Sequence, residues 1–284
     1  MTSNPPTIGH CISRDGTSIG YRQMGAGLGL VLLHGGLQTS LSFTGLGAEL
    51  ADTFTVYIPD RRGRGLSGPF GDSYGMQKEV EDLGALLEKT GTQNVFGLSS
   101  GAIITLHAAL TLPAIRKIAL YEPPLEFEGG PPPLPWISRY EKEVAAGNLA
   151  AAMVCIIKGT GDRELMTRMP SFLLTPLFNL ALRSQAKTAE AGYALQTLVP
   201  TFRYDARLVA ETAGSLARFK AVRAETLLLS GTRSADFLRA IFKALIDAFP
   251  DWQHVEFPGL GHVAADNGSQ PGRVAAELRR YFSL

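Results

Sequence analysis

The sequence predicts an α/β fold, a mostly parallel sheet flanked by helices and broken by a wholly helical insertion, on three observations. Strand-like and helix-like segments alternate at both ends of the chain, the order in which parallel strands are joined. That alternation stops between about residues 124 and 222, where the pattern becomes purely helical and opens on the stiff linker EGGPPPLP. Residues 94–105, NVFGLSSGAIIT, turn a strand into a helix through two serines held between glycines. The chain therefore divides into a core domain of residues 1–123 and 223–284 and a helical insertion, or lid, of residues 124–222.

Taken in order, GHCISRDGTSIGYRQMG predicts two short antiparallel strands about Asp15-Gly16, a dipeptide suited to the positive φ angles of a tight turn. LGLVLLHGG (28–36) and TFTVYIPDRRGRG (53–65) are apolar runs closed by glycines, the pattern of buried parallel strands. Over 76–90, Val80, Leu83, Leu86 and Leu87 recur at helical spacing, with Lys78, Glu79, Glu81 and Asp82 expected on the solvated face. QNVFGLS is the next strand, followed by an apolar helix from about Ser100 to Leu112 and the strand KIALYEPP. After the insertion come the strand ETLLLSG, a helix from about Phe237, the strand HVEFPG and a final helix. No internal repeat is present.

Composition excludes several classes of function. With 284 residues, 45% hydrophobic and 19% charged, the chain carries enough apolar mass for a large core. Its 27 basic and 26 acidic residues leave a net charge of +1 with no long run of one sign, so nucleic acid and lipid headgroups are not expected partners. Cys11 and Cys155 are too few for a disulfide framework or zinc cluster; a reducing cytoplasm is the expected compartment, and both read as packing residues. MTSNPPTIGH lacks the basic and apolar regions of a secretory signal, and FLLTPLFNLAL (172–182) is too short and too interrupted for a membrane span. GRGLSG (63–68) satisfies a dinucleotide-binding pattern literally, but Pro69, Gly71 and Gly75 continue it as a loop where the fingerprint needs a helix.

A nucleophile at the apex of a sharp strand-to-helix turn needs small residues two before and two after it, because the backbone leaves no clearance for side chains. Gly97 and Gly101 meet this for Ser99; Leu98 and Ala102 fail it for Ser100. With HGG at 34–36, DRRGRGLS at 60–67 and PGLGH at 258–262, the motif order resembles the α/β-hydrolase superfamily, in particular its single-domain members with a helical cap. The resemblance covers nearly the whole chain. It implies an eight-stranded, mostly parallel sheet, a nucleophile after the fifth strand, a cap inserted after the sixth, and reactive groups at the carboxyl ends of the strands.

A serine hydroxyl needs a base within hydrogen-bond reach. His107 lies eight residues along the same helix from Ser99, about 12 Å at ~1.5 Å per residue, which is too far. His10 and His254 fall within strands, and the resemblance makes His34 a loop-supporting residue. His262, in a glycine-containing loop after the last strand, remains as the base. The acid departs from the commonest family pattern: three residues beyond the glycine of LLLSG stands Ser234, which cannot carry the charge. Two substitutes are open. Asp236 precedes FLRAIF, where it is expected to cap a helix. Glu122, held extended by Pro123-Pro124 at a strand's carboxyl end, looks like the acid after strand six in haloalkane dehalogenases and is preferred. The resemblance implies an oxyanion hole from the backbone N–H groups of Ser100 and of Gly36, with Leu37 as the substitute for Gly36. Asp60 and Arg61 read as structural charges that pair locally.

A serine nucleophile argues for attack on a carbonyl, since displacement at an sp³ carbon would leave an inert ether. The expected activity is that of a carboxylic-ester hydrolase, with lactones, thioesters, activated amides and ketone-adjacent carbon–carbon bonds as further substrates. Cofactor-free haloperoxidase or perhydrolase activity would use the same triad, and the serine at 234 leaves open a silent, receptor-like protein. In the insertion, Trp136, Met153, Ile156, Ile157, Leu165, Met166, Met169, Phe172, Leu173 and Phe178 form a large apolar set. Some of these are expected to line a pocket for an apolar acyl or aromatic group and most to form the lid's own core. The expected partner is a small apolar carbonyl substrate, with a homodimer allowed; no cofactor and no metal are expected.

Overall fold

A computed structural model of the chain describes residues 5–130, 132, 134–161, 164–185 and 192–284, with the side chains of residues 164 and 165 outside the description. Eight strands form one sheet: β1 (Thr7–Ile12), β2 (Ser18–Met24), β3 (Leu28–Leu33), β4 (Phe54–Pro59), β5 (Asn94–Leu98), β6 (Lys117–Tyr121), β7 (Glu225–Gly231) and β8 (Gln253–Phe257). Their spatial order is β1-β2-β4-β3-β5-β6-β7-β8, with β2 antiparallel to both its neighbours and every other pairing parallel. The β1–β2 hairpin closes where the sequence predicts. Gly16 takes φ +86°, and the Asp15 carboxylate accepts the Thr17 N–H at 3.0 Å.

Parallel strands with helices on both faces are buried on both sides, so their side chains alternate between two apolar layers. On β3, Val31 and Leu33 enter the layer beneath α2 (Met76–Thr90) and α3 (Ser100–Thr111); Leu30 and Leu32 enter the one beneath α1 (Thr44–Leu50). Between β6 and β7 the chain is helical: α4 (Ile137–Ala145), α5 (Leu149–Thr160), α6 (Glu164–Arg168), α7 (Ser171–Gln185), α8 (Leu195–Leu198) and α9 (Phe202–Ala210). Helices α10 (Asp236–Ala248) and α11 (Pro271–Phe282) complete the alternation. Tyr140, Ile156, Val199 and Phe202 form one apolar cluster in the helical segment and Val154, Ile157, Leu174 and Phe178 another. The GRGLSG stretch lies in an irregular loop, and both cysteines are buried and free. Among the described residues, no helix is long and apolar enough to cross a membrane.

Two expectations about charge are corrected. Glu79 and Asp82 belong to the buried face of α2, not the solvated one, because the loop after β4 lays arginines against it. Arg61 donates to Glu79 at 2.8 Å and Arg62 to Asp82 at 2.6 Å, all four side chains being almost fully buried. Arg61 also pairs with Asp205 of α9 at 2.8 Å, so its partners are distant in sequence. Asp60 accepts from the backbone N–H groups of Ser40 and Leu66 and from the Tyr193 hydroxyl.

Removing one member of a buried pair strands the other. Asp82→Ala should therefore lower unfolding free energy by about 3–5 kcal/mol in chemical denaturation. Asp15→Ala, which removes the outer and more exposed partner of Arg62, should cost about 1 kcal/mol or less.

Candidate active site

Strand β5 ends at Leu98, and Ser99 turns the chain into α3 with φ +55° and ψ −123°. The turn is tight enough to forbid a Cβ on either side of it. One built on Gly97 would lie 2.5 Å from the Gly101 carbonyl oxygen, and one on Gly101 would lie 2.3 Å from the Leu33 carbonyl oxygen. Both obstacles are backbone and cannot move aside, which is the physical content of the two-glycine frame. The Ser99 N–H donates to the Tyr121 carbonyl at 2.9 Å, extending the β5–β6 ladder into the turn.

Among the described residues, the non-glycine positions with positive φ are Leu37, Ser99 and Glu122. A bulky or charged residue there is strained unless its surroundings over-determine it, and such strain concentrates at functional sites. Glu122 is not extended as expected: its N–H still donates to the Leu229 carbonyl at 3.0 Å, but φ +47° then turns the chain off the sheet toward Pro123. Its carboxylate, 1% exposed, accepts from the Ser230 hydroxyl at 2.7 Å and the Gly231 N–H at 2.8 Å through Oε1. Oε2 lies 2.7 Å from Nδ1 of His262.

His262 sits in the loop after β8, whose Gly261 carbonyl accepts the Tyr121 hydroxyl at 2.9 Å. The ring is 7% exposed and, like Ser99, lines a cavity of about 80 Å³ at the carboxyl edge of the sheet. With Nδ1 held by Glu122, Nε2 is the ring nitrogen on the opposite side. Burial pushes the Glu122 pKa up, but the hydrogen bond and charge of His262 outweigh it and hold the carboxyl below its ordinary value.

Asp236 is not in this arrangement. Helix α10 begins one residue earlier than expected, with Ala235 at its N-cap, so Asp236 is an exposed residue of the first turn and not the cap. Ser234 is buried. His10 and His254 are exposed on edge strands, and the His107 ring bonds the Ile103 carbonyl. His34 is buried, its Nδ1 on the Gly35 carbonyl and its Nε2 accepting the Arg61 N–H at 3.2 Å. Burial, then the charges of Arg64 and Arg61, keep it neutral by holding its pKa well below the ordinary imidazole value.

Gly36, Leu37 and Ser100 all border the cavity. The Ser100 hydroxyl accepts from Arg61 at 3.0 Å and donates to Asp205 at 2.7 Å, so the second serine is committed to a buried network. Gln38 ties the loop after β3 to the histidine loop: its Oε1 accepts the Gly35 N–H at 2.7 Å and its amide donates to Asp266. The remaining wall is mostly apolar, from Leu98, Leu134, Ile156, Phe202, Phe237 and Leu238. Of the apolar residues singled out in the insertion, Ile156 borders the cavity; Trp136, Met153, Ile157, Met166, Met169 and Phe178 pack in the segment's clusters. Phe172 and Leu173 face outward at 74% and 50% exposure, and the Leu165 side chain lies outside the described residues. Sequence reasoning missed Asp205 and Arg64 and placed Glu79 on a solvated face; the arginine-rich DRRGRG stretch was read as locally paired charge, which gave no signal of these partners. Among the described residues, no group of three or more His, Cys, Asp or Glu side chains gathers as a metal site.

Comparison with known proteins agrees with this architecture. The profile of the alpha/beta hydrolase family matches residues 30–277. A cis-3-alkyl-4-alkyloxetan-2-one decarboxylase from Shewanella oneidensis is 25% identical over 96% of this chain and 88% of its own length. A pimeloyl-[acyl-carrier protein] methyl ester esterase from Stenotrophomonas maltophilia is 35% identical, over 34% of this chain and 36% of its own. Among solved structures, an alpha/beta hydrolase from Sphaerobacter thermophilus superposes with a TM-score of 0.75 and 29% identity, over 96% of this chain and 100% of the other.

A carboxyl whose pKa is lower folded than unfolded stabilises the protein above the unfolded value of about 4.3, and that contribution is lost as pH falls through the folded value. The stability difference between wild type and Glu122→Gln should therefore be largest near neutrality and shrink below about pH 4, as read by urea titrations across pH.

Proposed function

The chain belongs to the alpha/beta hydrolase family, and from that premise we propose that it is a serine hydrolase of carboxylic esters and related carbonyl substrates, acting through an acyl-enzyme on Ser99. The observation that carries this reading is the 2.7 Å contact between Glu122 and Nδ1 of His262, made by a ring that borders the same cavity as Ser99. A buried carboxylate on Nδ1 fixes the tautomer in which Nε2 is the basic nitrogen and stabilises the imidazolium that forms when it takes a proton.

His262 Nε2 removes the Ser99 hydroxyl proton as Oγ attacks the carbonyl carbon. The oxyanion is met by the backbone N–H groups of Gly36 and Ser100, with the start of α3 adding its dipole. The tetrahedral adduct collapses, the leaving group takes the proton from His262, and the acyl group stays on Ser99. Water deprotonated by the same nitrogen then cleaves the ester and restores the enzyme. In this reading Glu122 supplies the charge that Ser234 cannot, which favours a hydrolase over a silent receptor. Residues 124–222 act in this reading as a cap over the site. Haloperoxidase and carbon–carbon bond hydrolysis need the same groups; peroxide-dependent bromination and turnover of a vinylogous diketone distinguish them from ester hydrolysis.

The experiment is labelling by a fluorophosphonate with turnover of p-nitrophenyl acetate. Covalent label confined to Ser99 is expected, with Ser99→Ala and His262→Ala inactive but folded by circular dichroism. Glu122→Gln should lose about 10³–10⁴ in kcat, by analogy with triads on other folds, whereas Asp236→Asn should lose almost nothing. An unlabelled Ser99 in folded protein, or the loss falling on Asp236→Asn, would overturn the assignment.

Cavity size sets a second expectation. The cavity beside Ser99, about 80 Å³, is small beside pockets for drug-sized ligands, which favours a short acyl group. Across p-nitrophenyl esters, kcat/KM should be highest for acyl chains of about two to four carbons and fall at least tenfold by about eight, since pockets for larger ligands run from roughly 300 Å³ upward.

A further inference from the structure

A buried charge among the described residues of the helical segment borders the cavity beside Ser99 and has no part in the chemistry just described. Asp205 lies on α9 between Phe202 and Val209, and that stripe of the helix faces the cavity. Its carboxylate is buried and shared by two arginines of the loop after β4: Arg61 reaches Oδ1 at 2.8 Å and Arg64 bonds Oδ2. Each arginine continues to one side of the expected oxyanion hole.

On one side, Arg61 donates to the Ser100 hydroxyl at 3.0 Å while that hydroxyl donates to Asp205 at 2.7 Å, closing a three-membered ring of hydrogen bonds. The ring fixes the first residue of α3, whose backbone N–H follows Ser99. On the other side, Arg64 donates to the Gly35 carbonyl at 2.8 Å. That carbonyl and the Gly36 N–H belong to the same planar trans peptide and point in opposite directions, so whatever grips the oxygen aims the N–H. A buried guanidinium on the oxygen also polarises the peptide and makes its N–H a stronger donor. Helix α9 closes the arrangement sterically: a Cβ on Gly36 would lie 3.1 Å from the Phe202 ring and 3.4 Å from the Asp205 carboxyl carbon.

We propose that Asp205 is a positioning residue that holds both backbone donors of the oxyanion hole, through Arg61 and Ser100 on one side and Arg64 and the Gly35 carbonyl on the other. The inference rests on the hydrolase reading above and adds to it a requirement: the hole is fully formed only with α9 seated. Burial by itself would raise the Asp205 pKa, but Arg64 and Arg61 pull it down to about 2.

The test compares wild type with Asp205→Asn, which keeps the shape and removes the charge, and with Ser100→Ala, which removes one link without stranding an arginine. Steady-state hydrolysis of p-nitrophenyl acetate is paired with the affinities of a methyl trifluoromethyl ketone and of its unfluorinated parent. The fluorinated ketone forms a tetrahedral oxyanion on Ser99; the parent only fills the cavity. Asp205→Asn should lower kcat by about 10²-fold, the loss typical of one oxyanion donor, with KM within about threefold. Trifluoromethyl ketone affinity should fall in parallel while the parent binds as before. Ser100→Ala should move the same quantities by about tenfold, and the losses should be less than additive in the double variant, since both act through one network. Should Asp205→Asn not fold, Ser100→Ala carries the same comparison.

Unchanged kcat and ketone affinity in folded variants, or equal loss of both ketones, would overturn the proposal while wild-type labelling at Ser99 stands. A wild type that is neither labelled nor active would overturn the hydrolase reading, and this inference with it.

Discussion

A carboxylate removed from water must have its lone pairs met by the protein, and at Glu122 that requirement organises the end of the sheet. One oxygen takes donors from Ser230 and Gly231 at the end of β7, and the other faces His262 from the loop after β8. The side chain can do this because its residue leaves β6 at positive φ while its N–H is still paired to Leu229. Three neighbouring strands thus converge on one buried charge. Shifting their register would leave that charge unsatisfied and leave the imidazole without an orienting partner.

The second buried set obeys a different balance. Arg61 and Arg64 face Glu79 and Asp205, two positive charges against two negative, in a region almost without solvent. Desolvating four ions is costly, and a well-packed apolar set is often as stable, so net stability is a poor account of the cluster. What it does provide is direction. Guanidinium groups donate in a fixed planar fork, and here the forks end on a serine hydroxyl and a peptide oxygen beside the Ser99 turn. Tyr74 joins the same set by donating to Glu79 at 2.6 Å.

How much of this was legible in the sequence depended on whether the constraint was local. The frame around Ser99 could be read because it is a clearance rule over five residues, and the hairpin at Asp15-Gly16 and the helix at 76–90 follow equally local patterns. His262 could be reached because His10, His107 and His254 sat in elements that accounted for them and the family resemblance accounted for His34. Glu122 was legible from its place at a strand end, but its positive φ was not, since Pro123 argues for an extended residue before it. Glu79 and Asp82 were misplaced for a simple reason: a helical wheel puts charge outside unless a buried partner is known, and the arginines are 18 and 20 residues earlier. Asp205 was illegible for the same reason at longer range, its arginine partners lying more than 140 residues away.

The helical segment is not uniform in its attachment, and the difference bears on how the site is built. Phe202, at the start of α9, packs with Tyr140, Ala152 and Ile156 of α4 and α5, whereas Leu208 and Val209 near its end are buried in the main core with residues of α3. Val154, Ile157, Leu174, Phe178 and Leu182 form a cluster drawn from the segment alone. Helix α9 is therefore shared between two apolar bodies, and Asp205 lies at the changeover. The helix is pinned by Leu208 and Val209 in the core and by two arginines at Asp205. Helix α5 supplies Ile156 and Thr160 to the cavity wall directly, and α4 packs behind it through Tyr140. On the proposed reading, the oxyanion side of the site would then belong to the core and the acyl side to the segment. On that same reading, changes in α4 to α7 would alter which substrate fits while leaving the groups proposed to meet the reacting carbonyl where they are.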